Sequence, residues 1–143
     1  MLRWSCVGLV VLAVLACCGC GGGSEAEKVV SVRGKLTSGG QPLTVTGEEA
    51  GLGYVQVQFF SIDDAGVQST DPASARVSTT DGSFQLAGHG GQGIPPGKYR
   101  IAVRQWDPYP EDKLQGKFDE NTSPIIRTVD GDTTLTIDLE NPE

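Results

Sequence analysis

Cysteines near the amino terminus carry the most reactive side chains of this chain. Three of the four cysteines, Cys17, Cys18 and Cys20, stand within four positions in the stretch LACCGCGGGS. A zinc or iron–sulfur site needs about four ligands, with a pair such as C-x2-C matched by a second cluster. No second cluster follows, and the one histidine, His89, stands far along the chain in a glycine-rich stretch. The sequence therefore predicts no metal site at these cysteines.

The residues before the cysteines have the order of a secretory signal. Arg3 supplies one positive charge, and the apolar run VGLVVLAVLA follows it, which is the pattern of the n-region and h-region of such signals. The run is shorter than the ~20 apolar residues that a membrane-spanning helix needs. Its end resembles a bacterial lipobox, with Val14 and Ala16 at the aliphatic and small positions before Cys17.

The lipobox resemblance implies that one cysteine is lipidated and becomes the new amino terminus. Cys17 is the predicted site, Cys20 is the first alternative because Gly19 precedes it, and Cys18 is the second. The sequence then divides into a signal peptide at 1–16, a Cys/Gly-rich flexible tether at 17–28 and a domain at 29–140. Glycine-rich, charged segments without periodicity behave as flexible linkers.

Aromatic residues suggest a second kind of chemistry, the recognition of a ligand. Trp106, Tyr109 and Phe118 lie in or beside the longest loop, 107–123, among acidic and amide side chains. Exposed aromatic rings in such a loop could stack against sugar rings or a peptide. The alternative is that the same rings fill the open end of the fold as a hydrophobic plug.

The sequence does not indicate a catalytic site or a cation-binding site. A nucleophilic or acid–base site would have to use His89, whose surroundings GHGGQG are typical of an exposed loop. Acidic residues gather in the loop and in a later turn, but without EF-hand spacing and with lysines between them; they are Asp107, Glu111, Asp112, Asp119, Glu120, Asp130 and Asp132. We therefore predict neither an enzyme nor a cofactor.

Charge restricts the partners. The chain carries 11 basic and 18 acidic residues, and loss of a signal peptide containing Arg3 would leave a net charge near −8. A surface of this sign repels nucleic acid and anionic lipid. The segment after Cys20 contains no cysteine, so no disulfide can stabilise it, and its stability must come from an apolar core.

The elements that would hold these residues are strands. Apolar and polar residues alternate in seven segments, which is the period of half-buried strands: VVSVRGKLT, YVQVQFFS, SARVST, SFQLA, GKYRIAVRQ, IIRTV and TTLTIDL. The dipeptide Asp81-Gly82 predicts a hairpin between the third and fourth segments. IIRTV has mixed parity, which favours an edge position or a bulge. One solvated face per strand predicts an all-β, antiparallel, two-sheet sandwich of about seven strands.

Several of these segments, in this order, resemble the carboxypeptidase-regulatory-like, or transthyretin-like, domains of small envelope lipoproteins. The motifs are VRGKLT at 32–37, GQPL at 40–43, TTDGSFQL at 79–86 and PPGKYRIAV at 95–103, followed by Ser123-Pro124-Ile125 and the final strand. The loop TVTGEEAGLG is longer than usual, and a threonine replaces the first Asp of D-x-D-G. The resemblance implies a prealbumin-like Greek-key sandwich and a scaffold rather than an activity.

The expected function follows from these observations together. We expect a non-enzymatic cell-envelope protein, lipid-anchored on the periplasmic or outer-surface side of a membrane, with a structural or adhesive β-sandwich. The alternative is a surface glycan- or peptide-binding module that uses Trp106 and Tyr109, with Phe118 as a third candidate ligand-binding residue. Envelope glycans or proteins are the expected partners, besides the membrane reached through the lipid.

Overall fold

A computed structural model describes residues 28–143. The predicted signal peptide at 1–16, the predicted lipidation sites Cys17, Cys18 and Cys20, and the tether at 17–28 except for Lys28 lie outside the described residues. Within the described part, no helix is long and apolar enough to cross a membrane.

Seven strands form where the alternating segments predict them. They are β1 (Val32–Thr37), β2 (Tyr54–Ile62), β3 (Ala73–Val77), β4 (Ser83–Leu86), β5 (Gly97–Trp106), β6 (Ile126–Val129) and β7 (Thr133–Asp138). The only helical segment of residues 28–143 is a three-residue 3-10 turn, His89–Gly91, between β4 and β5. The prediction of an all-β chain with seven strands is confirmed.

The strands form two sheets. One has three strands in the order β4-β1-β7, and the other has four in the order β3-β2-β5-β6. Four of the five ladders between strands are antiparallel. The fifth is parallel: β1 and β7 run in the same direction, with Val32 opposite Thr133 and Thr37 opposite Asp138. The prediction of purely antiparallel sheets was therefore wrong for this pair. Both strands start at the same end of the domain. The strand β6 ends beside the start of β5, with Val129 opposite Gly97, and β7 begins after the short turn that follows.

The core lies between the sheets and follows the alternation. In β2, Val55, Val57 and Phe59 are buried while the glutamines between them are partly exposed. Transfer of such apolar surface out of water is the main force that holds two sheets together. Phe59 lies near the middle, with its ring centroid 6.2 Å from that of Phe84 and 6.1 Å from that of Tyr99.

Gly34 shows how two of the sequence motifs depend on each other. Gly34 in β1 is the register partner of Phe84 in β4, and the Phe84 ring occupies the space beside it. A Cβ added at Gly34 would lie 2.5 Å from Phe84 Cε1 and 2.8 Å from the carbonyl oxygen of Leu135. The glycine of VRGKLT is thus required by the phenylalanine of TTDGSFQL.

The Asp81-Gly82 turn forms, but the hairpin predicted around it does not. Gly82 has φ +77°, and Ser83 donates its backbone N–H and its hydroxyl to Asp81 Oδ1. These bonds, with one from the Ser78 side chain, lower the pKa of Asp81 to about 2. The strands on either side diverge into different sheets, β3 into one and β4 into the other. The turn is therefore a corner of the sandwich, where the chain passes from one sheet to the other.

The long strand β5 separates two ends of the sandwich. The described chain begins beside the start of β5, where the backbone amide of Val30 donates to the carbonyl of Ile94 at 2.8 Å. The strand β5 is ten residues long and ends at Trp106. At ~3.3 Å per residue these two ends lie about 30 Å apart. We call the end with Val30 the amino-terminal end and the end with Trp106 the far end.

Candidate functional site

Three aromatic rings meet at the far end, and we call them the aromatic cluster: Tyr54, Trp106 and Tyr109. Tyr54 of β2 is the register partner of Trp106 of β5, and their ring centroids lie 6.4 Å apart. Tyr109 joins them from the loop, stacked on Tyr54 at 6.4 Å and edge-on to Trp106 at 5.3 Å. These distances lie in the range of favourable aromatic pairs.

The cluster presents rings to solvent. Tyr109 is 60% exposed, and Tyr54 and Trp106 are partly exposed. The indole nitrogen of Trp106 is buried and has no hydrogen-bond partner in the described part of the chain. Trp106 therefore offers a ligand its ring and not its N–H group.

Phe118, the third residue predicted to bind a ligand, lies elsewhere. It is 2% exposed and belongs to the main hydrophobic core, and its carbonyl accepts the backbone amide of Val103 at 2.8 Å. Phe118 cannot stack against a ligand from this position. The sequence allows two roles for the loop aromatics, a hydrophobic plug or an exposed binding surface. Phe118 is buried as a plug would be, whereas Tyr109 is exposed as a binding surface would be.

A polar row runs beside the aromatic cluster on the same outer face of the four-stranded sheet. Gln56 of β2 pairs with Arg76 of β3 on one side and with Arg104 of β5 on the other. Adjacent strands lie ~4.8 Å apart and alternate residues ~7 Å apart along a strand. The two arginines therefore flank Gln56 on this face. Gln56 and Arg104 occupy the outward-facing positions next to Tyr54 and Trp106, two residues away along their strands.

Both arginines also contact the aromatic rings. The guanidinium carbon of Arg76 lies 4.5 Å from the Tyr54 centroid, and that of Arg104 lies 5.6 Å from the Trp106 centroid. Such cation–π contacts are worth about 0.5–1 kcal/mol at exposed sites. They hold the cations beside the rings, so that a ligand on the rings would also meet the guanidinium groups.

The loop before β2 supports the cluster from one side. The backbone amide of Thr46 donates to Asp107 Oδ1 at 3.0 Å, and the Thr46 hydroxyl forms a short hydrogen bond to the same oxygen. These two bonds lower the pKa of Asp107 and keep it ionised. The backbone amide of Tyr109 donates to the carbonyl of Leu52 at 2.7 Å, and Leu52 is 57% exposed beside the cluster. The loop TVTGEEAGLG thus forms one border of the site.

The loop 107–123 supports the cluster from the other side. Arg104 Nη2 forms an ion pair with Glu120 Oε2 at 2.6 Å, and Gln68 Nε2 donates to the Glu120 carbonyl at 2.8 Å. The loop therefore folds over the middle of the outer face, where Phe60 and Ala102 are buried although they point away from the core. The aromatic cluster at the far end remains exposed to solvent, with Tyr109 60% exposed.

The acidic residues of this loop act as internal acceptors. Asp119 Oδ1 accepts the backbone amides of Asn121 and Thr122 at 2.8 Å each, which lowers its pKa. Asp112 Oδ1 accepts the amides of Gln105 and Leu114. Carboxylates bonded in this way fix the loop backbone. No group of three or more His, Cys, Asp or Glu residues in 28–143 is arranged to hold a metal ion.

Two members of the site were not found from the sequence. Tyr54 and Arg76 stand 52 and 30 residues before Trp106, and only the register of β2, β3 and β5 brings them together. A signal did exist, because both lie at polar positions of alternating strands and so had to face outward. His89, in contrast, lies in the connection from β4 to β5 at the amino-terminal end.

Comparison of the chain with protein-family models, with curated proteins and with solved structures finds no match.

Proposed function

We propose that this chain is a non-enzymatic, lipid-anchored cell-envelope protein that acts in adhesion by binding a surface glycan through the aromatic cluster. The observation that carries the proposal is the position of Tyr109, 60% exposed and in contact with both other rings, at the far end of β5. Flat aromatic rings beside amide and guanidinium donors match a sugar ring, which has apolar C–H faces and hydroxyl groups at its rim.

The position of the site agrees with anchoring at the amino terminus. The described chain begins at the amino-terminal end, about 30 Å along β5 from the cluster. A lipid attached near Cys17 would therefore leave the cluster on the side of the domain that faces away from the membrane.

The strand order supports membership in the carboxypeptidase-regulatory-like, transthyretin-like family. Four of the six connections, those between β1 and β2, β3 and β4, β4 and β5, and β6 and β7, pass from one sheet to the other. Chains of Greek-key sandwiches also pass between their two sheets, so this order is compatible with the proposed fold. The pairing of Gly34 with Phe84 gives a structural reason for two of the motifs on which the resemblance rests.

The anchor is tested by the intact mass of the protein purified from bacterial membranes. We expect an amino-terminal Cys17 that carries a diacylglyceryl group, and Cys17→Ala should abolish the adduct. An adduct that remains in Cys17→Ala and disappears in Cys20→Ala would move the anchor to the alternative site. An unmodified amino terminus at a residue other than cysteine would contradict the lipoprotein proposal.

Glycan binding is tested on an array of bacterial and plant polysaccharides with the full chain. We expect binding that Tyr109→Ala weakens at least tenfold, because that ring is the most exposed member of the cluster. Val67→Ala is the matched control, since Val67 is also an exposed apolar side chain, 63% exposed, in the turn after β2 at the amino-terminal end. Equal losses in both variants, or no bound polysaccharide, would contradict the proposal.

A further inference from the structure

A basic depression lies next to the aromatic cluster, on the outer face of the three-stranded sheet. Its volume is about 520 Å³, and its lining includes Arg33 and Lys35 of β1 and Arg76 of β3. The other lining residues are neutral, so no carboxylate among the described residues lines it; they are Gly34, Ser78, Ser83, Phe84, Gln85, Thr134, Leu135 and Thr136. Three cations in one place are unexpected in a chain with 18 acidic and 11 basic residues.

The depression and the aromatic cluster share a residue. Arg76 lines the depression, and its guanidinium also lies over the Tyr54 ring. This is possible because β3 and β4 meet at the corner formed by the Asp81-Gly82 turn, so the outer faces of the two sheets continue into each other there. A chain-like ligand could therefore lie on the rings and extend past Arg76 onto Arg33 and Lys35.

We propose that the glycan bound by this chain is an acidic polysaccharide, one whose sugar units carry carboxylate groups. This inference rests on the proposed glycan-binding function. The rings of Tyr54, Trp106 and Tyr109 contact the apolar faces of the sugars, and Arg76, Arg33 and Lys35 bind the carboxylates. Arginine suits this role because its planar fork of N–H donors matches a carboxylate with two hydrogen bonds.

The charges around the site favour Arg76 as the residue that binds a carboxylate. Arg104 is already paired with Glu120 at 2.6 Å, and Lys35 has Asp81 near enough to contribute to the lowered pKa of that carboxyl. Arg76 is exposed and forms no ion pair with another residue of the described part. Its positive charge is therefore available to an incoming anion.

The overall charge favours a polysaccharide over a nucleic acid. Aromatic rings beside arginines also bind single-stranded nucleic acids. However, duplex DNA carries a phosphate charge every ~1.7 Å of its axis, and such dense charge requires many basic residues. A formal net charge of −7 opposes a long polyphosphate, whereas three local cations are enough for a few carboxylates spaced along a sugar chain.

The experiment compares two forms of one polymer by titration calorimetry with the full chain. Polygalacturonate carries a carboxylate on each sugar unit, and its methyl ester has the same sugar chain without the charges. We expect polygalacturonate to bind at least tenfold more tightly than the ester, and this preference to decrease as salt screens the charges. Arg76→Ala should remove most of the preference, so that polygalacturonate and its ester bind this variant with similar affinity.

Two further variants make the result specific. Lys35→Ala should reduce the preference in part, because Lys35 lines the depression but lies farther from the rings. Lys98→Ala is the matched control, since Lys98 is an exposed cation near the start of β5, at the amino-terminal end, and it should have no effect. The circular dichroism spectrum and melting temperature of each variant show whether it is folded.

The possible outcomes separate this inference from the function on which it rests. Equal binding of polymer and ester, with no effect of Arg76→Ala, would overturn the acidic ligand and leave glycan binding in place. Failure of every polysaccharide to bind would overturn both. An oligothymidylate that binds as tightly as polygalacturonate, and with the same dependence on Arg76, would replace the acidic polysaccharide with a polyphosphate ligand.

Discussion

Replacement of Phe118 and of Tyr109 by alanine distinguishes a buried support from an exposed binding surface within one loop. Phe118 is 2% exposed, so its truncation leaves a cavity, and such changes cost about 3–5 kcal/mol of unfolding free energy. Tyr109 is 60% exposed, so it buries less than half of the ~150–250 Å² that an enclosed aromatic residue buries. At ~25 cal/mol per Å² this gives about 2 kcal/mol for Tyr109→Ala, and a partly compact unfolded chain would make the loss smaller.

The two variants should therefore separate in stability and in binding. Urea unfolding followed by circular dichroism measures the free energy, and we expect Phe118→Ala to lose about 1–3 kcal/mol more than Tyr109→Ala. We expect the reverse order for glycan affinity, measured where both variants are folded. A loss of 3 kcal/mol or more in Tyr109→Ala, with unchanged affinity, would refute the assignment of Tyr109 to a binding surface and make it part of the plug.

Two further predictions concern the fold. Gly34→Ala should lower the unfolding free energy by roughly 1–3 kcal/mol, the usual effect of overpacking, because its Cβ would lie 2.5 Å from Phe84 Cε1. In urea unfolding, Gly34→Ala combined with Phe84→Ala should cost less than the sum of the two single changes; simple additivity would show that the two residues do not interact. Asp138 has a lowered pKa because it accepts the backbone amide of Glu140 and other amides, so the folded chain binds fewer protons than the unfolded chain and loses stability as the pH falls below about 4. Melting temperatures of wild type and Asp138→Asn between pH 7 and pH 2 should show a variant that is less stable at neutral pH and less sensitive to acid; parallel curves would contradict this role of the carboxylate.

The strands could be predicted because burial on one face leaves a mark at every second residue. All seven segments form strands, and the mixed parity of IIRTV correctly indicated an edge, since β6 lies at the end of its sheet. The parallel pairing of β1 with β7 could not be predicted in this way, because a period of two is the same for both directions. A local pattern also could not decide the role of the Asp81-Gly82 turn. Its backbone conformation fits a hairpin and a corner between two sheets equally well.

The site was predictable only in part, because it depends on register and on an irregular loop. The aromatic character of Trp106 and Tyr109 near a long loop predicts a binding site there, and the structure brings the two rings together. The same pattern includes Phe118, but a residue outside a strand has no alternation to indicate which way its side chain faces. Tyr54 and Arg76 enter the site through cross-strand pairing, which a single sequence does not encode in its local pattern.

Tryptophan fluorescence tests the central claim, that a glycan binds on the aromatic cluster, most directly. The chain has two tryptophans, Trp4 and Trp106, and in a Trp4→Phe background Trp106 is the one indole that emits. Titration with polygalacturonate should change its emission saturably, with a midpoint that matches the calorimetric affinity and that Tyr109→Ala shifts upward. Tight binding in the calorimeter with unchanged Trp106 emission would place the ligand elsewhere and contradict the claim.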